Sequence, residues 1–126
     1  MPGDPANSFP VKAAVLAGAA LLCLTAQTAL ADTASQDRIG LGKQLAMSRS
    51  KGNCIACHVI DDGALPGNVG PPLMSMRLRF PERAQLSGQI WDPTARNPDT
   101  MMPPFGKHLI LTREEIEAIV DYLYTL

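Results

Sequence analysis

The chain has 126 residues, of which 46% are hydrophobic and 18% charged, and its formal net charge is −1 at pH 7. This length fits one small domain, near the size at which an apolar core alone gives limited stability. Because acidic and basic residues nearly cancel and no basic stripe stands out, the sequence does not point to a nucleic-acid partner.

The N-terminal region contains the most apolar stretch, residues 11–31. It opens with one cation, Lys12, and ends in the small-residue triplet Ala29-Leu30-Ala31, a layout typical of a secretory signal peptide. Its apolar part, residues 13–24, is shorter than the roughly 20 residues that a membrane span needs. We therefore expect cleavage after Ala31, export to the periplasm, no membrane span and one domain at residues 32–126. An uncleaved anchor is the alternative.

The sequence contains three cysteines: Cys23 lies in the expected signal peptide, and Cys54 and Cys57 lie close together after it. A lipoprotein anchor at Cys23 is disfavoured, because Leu22 rather than glycine or alanine precedes it. The pair, Cys54 and Cys57, would enclose a very short loop if it formed a disulfide, which constrains the unfolded chain little. A structural disulfide is therefore a poor explanation for this pair.

The first helix is predicted over residues 36–50, with Thr33 and Ser35 as candidate N-caps. Gly42 lies among its less polar positions. Since a glycine lets another backbone approach closely, we predict a helix crossing at Gly42. A glycine merely tolerated near a helix start is the alternative.

Residues 54–58, Cys-Ile-Ala-Cys-His, form the attachment signature of c-type haem. On a turn of helix the two sulfurs lie on one side, so each can add across a haem vinyl group to form a thioether. His58 can then bind the iron as an axial ligand. The sequence therefore predicts one covalent haem held by Cys54, Cys57 and His58.

Two other sites could use the same residues. A thioredoxin-like dithiol is expected beside a strand and a helix, and no strand signal precedes Cys54. A zinc site needs four ligands at tetrahedral spacing. The cysteines and histidines available after signal cleavage are Cys54, Cys57, His58 and His108, and His108 is distant in the sequence. Both alternatives fit the sequence less well than haem attachment.

The segment after the motif, residues 61–72, is rich in glycine, proline, asparagine and aspartate and is predicted to be a loop. A ligating histidine usually gives its second ring N–H to a fixed acceptor. The carbonyl of Pro71 is our candidate partner for His58. The alternative is an ordinary proline-rich turn.

Further along, a short helix is predicted over residues 81–91 and an extended, wrapped stretch over residues 92–107, where prolines recur. The last helix has the clearest signals. Thr112 and Glu115 form a capping box, and apolar residues recur at helical spacing. These are Ile116, Ile119, Val120 and Leu123.

A second axial ligand is needed if the haem only transfers electrons. Met102 is favoured, because the stiff segment Pro103-Pro104 directly follows it and can hold a thioether in place. Met101 and His108 stay open as alternatives, and methionines are otherwise mostly core residues, which is the role we expect for Met74 and Met76. With His58 and Met102 as ligands the reduction potential would be raised.

Several segments together resemble the SoxX family, the monohaem subunits of the periplasmic SoxAX cytochrome in thiosulfate oxidation. They cover nearly all of the chain after the expected signal and include Leu-Pro-Gly-Asn and Asn-Pro-Asp-Thr. The segments are residues 52–58, 65–73, 89–92, 97–106 and 111–112.

The resemblance implies an all-α, class I cytochrome c-like fold, with crossing N- and C-terminal helices and a haem wrapped by proline-rich loops. It also implies a SoxA partner, whose complex joins thiosulfate to a cysteine of the carrier SoxYZ, a reaction of the L-cysteine S-thiosulfotransferase type. Electrons would leave to a small soluble cytochrome c. By position, Cys54 and Cys57 would hold the haem, with His58 and Met102 as axial ligands.

No residue of this chain suggests a sulfur-handling nucleophile or acid–base pair once both cysteines carry haem, so catalysis is expected on the partner. Two other functions remain in view. One is a free class I cytochrome c that shuttles electrons in a respiratory chain without a sulfur role. The other is a periplasmic dithiol oxidoreductase that contains no haem.

Overall fold

The computed structural model describes residues 32–60, 63 and 67–126. The chain divides into two units, residues 1–34 and 35–126, and the second contains all the helices and loops analysed below except the first three described residues of α1. The predicted signal peptide and its cleavage point after Ala31 lie outside the described residues.

The described residues form four α-helices and two single 3₁₀ turns, and they contain no strand. The all-α class predicted from the sequence is therefore confirmed. The helices are α1 (32–47), α2 (Met76–Arg79), α3 (Arg83–Trp91) and α4 (Arg113–Leu123), and the 3₁₀ turns are Cys54–Ala56 and Pro93–Ala95.

Helix α1 differs from its prediction at both ends. Thr33 and Ser35 lie inside it, so neither can be its N-cap, because a capping residue must flank the helix. The helix stops at residue 47, where the chain turns sharply. There the amide of Gly52 donates to the carbonyl of Leu45 at 3.1 Å, and this tight return leads directly into the cysteine motif.

The crossing of α1 and α4 depends on Gly42. A Cβ atom at this position would lie only 1.9 Å from the backbone oxygen of Ala118 and 3.0 Å from the nitrogen of Ile119. The two backbones are therefore in contact, and no larger side chain fits between them. The predicted helix crossing at Gly42 is confirmed.

Helix α4 supplies most of the core. Its capping box is formed, with Glu115 N donating to Thr112 Oγ1 at 3.2 Å and Thr112 N donating to Glu115 Oε2 at 2.9 Å. Its four predicted apolar positions are all buried, together with residues of every other helix. The core comprises Leu45, Ala46, Ile60, Met76, Leu86, Ile90, Phe105, Leu111, Ile116, Ala118, Ile119, Val120, Tyr122 and Leu123.

Helix α3 begins at Arg83 rather than at residue 81, and polar contacts also fix it to α4. Arg83 donates to Glu117 Oε2 at 2.7 Å and also pairs with Asp121, which accepts from Arg38 of α1 as well. Ser87 donates to the other oxygen of Glu117 at 2.6 Å. These pairs are partly exposed, so they mainly orient the helices and add little stability.

The predicted extended stretch, residues 92–107, is wrong in part. Pro93 opens a 3₁₀ turn, with the side chain of Asp92 accepting from the amide of Thr94, and residues 105–109 also form turns. Proline is favourable at the first position of a helical turn, because its fixed φ suits the turn and its missing N–H would have no partner there.

The turn before the cysteine motif is tied to α4 by an ion pair. Lys51 Nζ lies 2.8 Å from Glu115 Oε1. This ammonium lowers the pKa of the Glu115 carboxyl below its ordinary value of 4.5, and the hydrogen bond from the Thr112 amide lowers the pKa further. The pair therefore stabilises the fold only while Glu115 is ionised.

We expect Gly42→Ala to lower the free energy of unfolding of the haem-loaded protein by about 1–3 kcal/mol, because the new methyl group must separate two backbones. Gly40→Ala is the matched control. A Cβ at Gly40 meets nothing within 4 Å, so this change should add about 0.5–1 kcal/mol through helix propensity. Urea unfolding measures the free energy of unfolding of both variants. Equal changes in Gly42→Ala and Gly40→Ala would contradict a close crossing at Gly42.

Glu115→Gln should destabilise the protein at pH 7 by about 0.2–1 kcal/mol, the usual range for a partly exposed ion pair. A carboxyl with a lowered pKa stabilises the fold above its unfolded pKa and loses that effect as pH falls through its folded pKa. The difference from wild type should therefore shrink steadily below about pH 4.5. Urea unfolding across pH 3–7 measures the free energy of unfolding of each variant. Lys51→Gln is the control, and because it removes the same ion pair, the double variant should be destabilised little more than either single variant. A difference that persists at pH 3 would contradict the assignment.

Candidate functional site

The cysteine motif folds as a tight turn. Asn53, with φ 46° in the left-handed region that asparagine tolerates, precedes the 3₁₀ turn Cys54–Ala56. The amides of Cys57 and His58 both donate to the carbonyl of Cys54, at 3.2 and 2.9 Å. The two cysteines are half-buried and form no disulfide. The expected helical turn is thus a 3₁₀ turn.

The loop after the motif is fixed to it by a row of backbone hydrogen bonds. Each bond runs from an amide of the loop to a carbonyl of the motif or its flanks, so the two segments lie side by side. The bonds join Gly67 N to Ile55 O at 2.7 Å, Gly70 N to Cys57 O at 2.7 Å and Leu73 N to Val59 O at 2.9 Å.

The imidazole of His58 is oriented by this loop. Its Nδ1 lies 2.7 Å from the carbonyl oxygen of Pro71, so the hydrogen bond expected from the sequence is present. A carbonyl can only accept, which places the proton on Nδ1. In the neutral ring Nε2 then carries the lone pair, which is the form that binds a metal.

Two glycines make this arrangement possible. A Cβ at Gly70 would lie 2.5–3.0 Å from three atoms of the His58 ring, and a Cβ at Gly67 would lie 2.2 Å from the carbonyl oxygen of Ala56. Both distances are too short for any other residue. Gly70 therefore forms part of the wall against which the imidazole packs.

The candidates for a second ligand differ in burial. Met102 is half-buried against the core, and its amide donates to Thr100 Oγ1 at 3.2 Å. Met101 is 80% exposed and His108 is also exposed. The expectation of core packing is correct for Met76, which is 2% exposed, and wrong for Met74, which lies before α2 and is 48% exposed.

Comparison with known proteins identifies the family. The cytochrome c family matches residues 39–126, well over half of the chain. The chain belongs to the cytochrome c family. This cytochrome is therefore an electron-transfer protein that carries covalently bound haem c.

The proteins similar to this cytochrome include a solved structure and a curated sequence. The crystal structure of SoxXA from P. pantotrophus matches with a TM-score of 0.61 and 28% identity, over 68% of this chain and 79% of that chain. An uncharacterised lipoprotein of Aquifex aeolicus (strain VF5) is 39% identical over 75 residues, 59% of this chain. This cytochrome spans only 36% of that lipoprotein's length. The fold is accordingly that of a SoxX-like class I cytochrome c, as the sequence predicted.

The residues present fit a covalent haem. Cys54 and Cys57 offer unpaired thiols on one turn, and His58 directs Nδ1 at the Pro71 carbonyl, which leaves Nε2 as the nitrogen that could bind iron. Haem supplies reversible one-electron chemistry at its iron when it is bound. The particular roles of Cys54, Cys57, His58, Pro71 and Met102 stay predictions drawn from the sequence and consistent with this geometry.

The properties of the Cys54 thiol disfavour thiol redox chemistry. Burial is the main cause that raises the pKa of Cys54 to about 11; a backbone hydrogen bond opposes it, and the neighbouring Cys57 adds a smaller upward effect. Redox-active cysteines have lowered pKa values, because the thiolate is the nucleophile. Within the described residues no three His, Cys, Asp or Glu side chains form a metal-binding group, which gives the zinc alternative no support there.

No helix in the described part of this cytochrome is long and apolar enough to cross a membrane.

Sequence reasoning missed three residues that shape the site: Gly67, Gly70 and Arg79, which donates to the carbonyl of Pro72. The glycines could have been found, since Gly67 and Gly70 lie within four residues of the predicted acceptor Pro71. Nothing in the sequence near Arg79 indicates its partner.

Proposed function

We propose that this cytochrome is the monohaem electron-transfer subunit of a SoxAX-type complex in thiosulfate oxidation. The observation that carries the proposal is its 28% identity to SoxXA over 79% of the matched chain. The segments that resemble SoxX lie in the loops around the predicted haem as well as in the helices, so the likeness extends to the site.

In this role the protein only moves electrons. Oxidative coupling of thiosulfate to a carrier thiol forms one sulfur–sulfur bond and releases two electrons and one proton. A single haem accepts one electron at a time, so this cytochrome must pass on the first before it takes the second. A SoxA-type partner would hold the carrier thiol of SoxYZ, and a small soluble cytochrome c would be the acceptor.

Met102 is proposed as the second axial ligand of the haem. Its half-buried position against the core and the fixed backbone at Pro103-Pro104 would hold the thioether sulfur in place. A soft sulfur ligand favours ferrous iron and so raises the reduction potential. With both axial positions filled, the iron is closed to oxygen, which suits a carrier of electrons.

Export to the periplasm completes the proposal. The cationic start, apolar part and small-residue end of residues 11–31 support a signal peptide cleaved after Ala31. Attachment of haem to a cysteine pair and a partner of the SoxA type would both belong to that compartment.

The docking surface for the partner is proposed to include the two loops that flank the predicted ligands. Three apolar side chains of these loops are unusually exposed: Val69 at 56%, Met74 at 48% and Met101 at 80%. Contiguous exposed apolar patches mark interaction sites, and the proposal takes these three side chains to belong to one such patch. Contact there would bring a partner close to the haem edge.

Met102→Ala should lower the reduction potential of the purified holoprotein and remove the weak sulfur-to-iron charge-transfer band of the ferric form, because the thioether ligand is lost. Met101→Ala is the matched control, since the adjacent methionine is largely exposed, and it should change neither property. A band that survives Met102→Ala and disappears in Met101→Ala would reverse the assignment.

The function is tested with the cytochrome purified together with its SoxA-type partner and the SoxYZ carrier. We expect thiosulfate to reduce the haem only when both partners are present, with stable association in gel filtration. A cytochrome that stays monomeric beside the partner, and whose haem thiosulfate does not reduce, would instead be a free electron shuttle. Removal of the carrier cysteine is the control and should abolish reduction.

A further inference from the structure

The acceptor of the His58 proton lies in a segment that cannot hold itself in place. Pro71 and Pro72 have no backbone N–H, so neither can donate a hydrogen bond to the motif as Gly70 and Leu73 do on either side. Their carbonyls are the only backbone polar groups available. The carbonyl of Pro71 accepts from His58, which leaves that of Pro72 to anchor the segment.

Arg79 supplies this anchor. Its Nη1 donates to the carbonyl oxygen of Pro72 at 2.6 Å and also lies 3.6 Å from the sulfur of Met76. A hydrogen bond from a charged donor is shorter and stronger than one between neutral groups. The guanidinium therefore restrains the peptide that directly follows the acceptor of His58.

Helix α2, which carries Arg79, is itself fixed to the end of the chain. Met76 is buried in the core, and its amide donates to the carbonyl of Leu126 at 3.4 Å. The phenol of Tyr124 donates to the carbonyl of Phe80 at 2.8 Å, just after the helix. Arg79 thus projects from a firmly held support.

We propose that Arg79 is a positioning residue for the axial ligand: through Pro72 it holds the Pro71 carbonyl against His58 Nδ1–H and so fixes the orientation and electron donation of the imidazole. A well-placed acceptor on Nδ1–H raises the basicity of a metal-bound imidazole. Loss of Arg79 should weaken that hydrogen bond and leave the ring with more rotational freedom. The proposal rests on His58 as a haem ligand and not on any role in sulfur oxidation.

The test compares Arg79→Gln with Arg77→Gln in the ferrous holoprotein. Gln is two bonds shorter than Arg, and both variants lose one charge on the same helix. Arg77 instead contacts Tyr124, both at its carbonyl oxygen and over its ring. We expect the His58 Nδ1–H proton, followed by NMR, to exchange with water about tenfold faster in Arg79→Gln, the effect of losing one net hydrogen bond. It should change little in Arg77→Gln.

Two further measurements separate positioning from general stability. The amide of Val120, in the core of α4, should exchange at the wild-type rate in both variants. The reduction potential should be more positive in Arg79→Gln than in Arg77→Gln, because a weaker donor on iron favours the ferrous form. Arg79→Lys, which keeps a charged donor, should restore most of the ring-proton protection.

Three results would overturn the proposal: an unchanged His58 proton in Arg79→Gln, equal acceleration in both Gln variants, or parallel acceleration at Val120. The first would remove Arg79 from the site, and the other two would make it an ordinary stabilising residue. A negative thiosulfate experiment would leave the proposal standing, since the ring proton reports on His58 alone.

Discussion

The hydrogen bond between His58 and the carbonyl of Pro71 is the contact on which the site depends. It fixes the tautomer, because a carbonyl accepts only, and so leaves Nε2 as the nitrogen available to iron. It also fixes the plane of the ring, since Gly70 lies against one part of the imidazole with no room for a side chain. The cysteine turn on one side and the glycine–proline loop on the other are held in register by three backbone hydrogen bonds, so the two segments that contact the imidazole cannot slide past each other.

Helix α4 connects this local arrangement to the rest of the domain. It contacts α1 through backbone at Gly42 and the cysteine turn through Glu115 and Lys51. It meets α3 through a polar network centred on Arg83, and the residues just after its end anchor α2. Because this helix meets α1, α3 and the cysteine turn, and the residues after it anchor α2, a change in its packing would reach the site by several routes.

Sequence alone predicted the features whose causes are local. The capping box at Thr112 and Glu115, the apolar spacing along α4 and the spacing of the cysteine motif each depend on residues within about one or two helical turns. It failed where a local signal is compatible with two structures: Thr33 and Ser35 look like caps but lie within α1, and Pro93, which discourages helix at the residue before it, itself opens a 3₁₀ turn. Pro71 was found because histidine ligands have a general need for an acceptor. Arg79 was not found, because the pairing of an arginine with one proline carbonyl leaves no pattern in the sequence.

The kind of surface around the site bears on the choice between a subunit and a free shuttle. A shuttle meets its partners briefly, and such encounters rely on charge to steer and orient them. Here the net charge is −1, and the segments beside the predicted ligands expose apolar side chains, as at Val69 and Met101, together with charged ones, as at Arg79 and Lys107. Lasting interfaces are the more hydrophobic class, because the apolar area is hidden from water for the lifetime of the complex. This mixed surface matches neither extreme, so the proposal of a lasting partner rests on the likeness to SoxXA, a protein whose crystal structure is that of a complex.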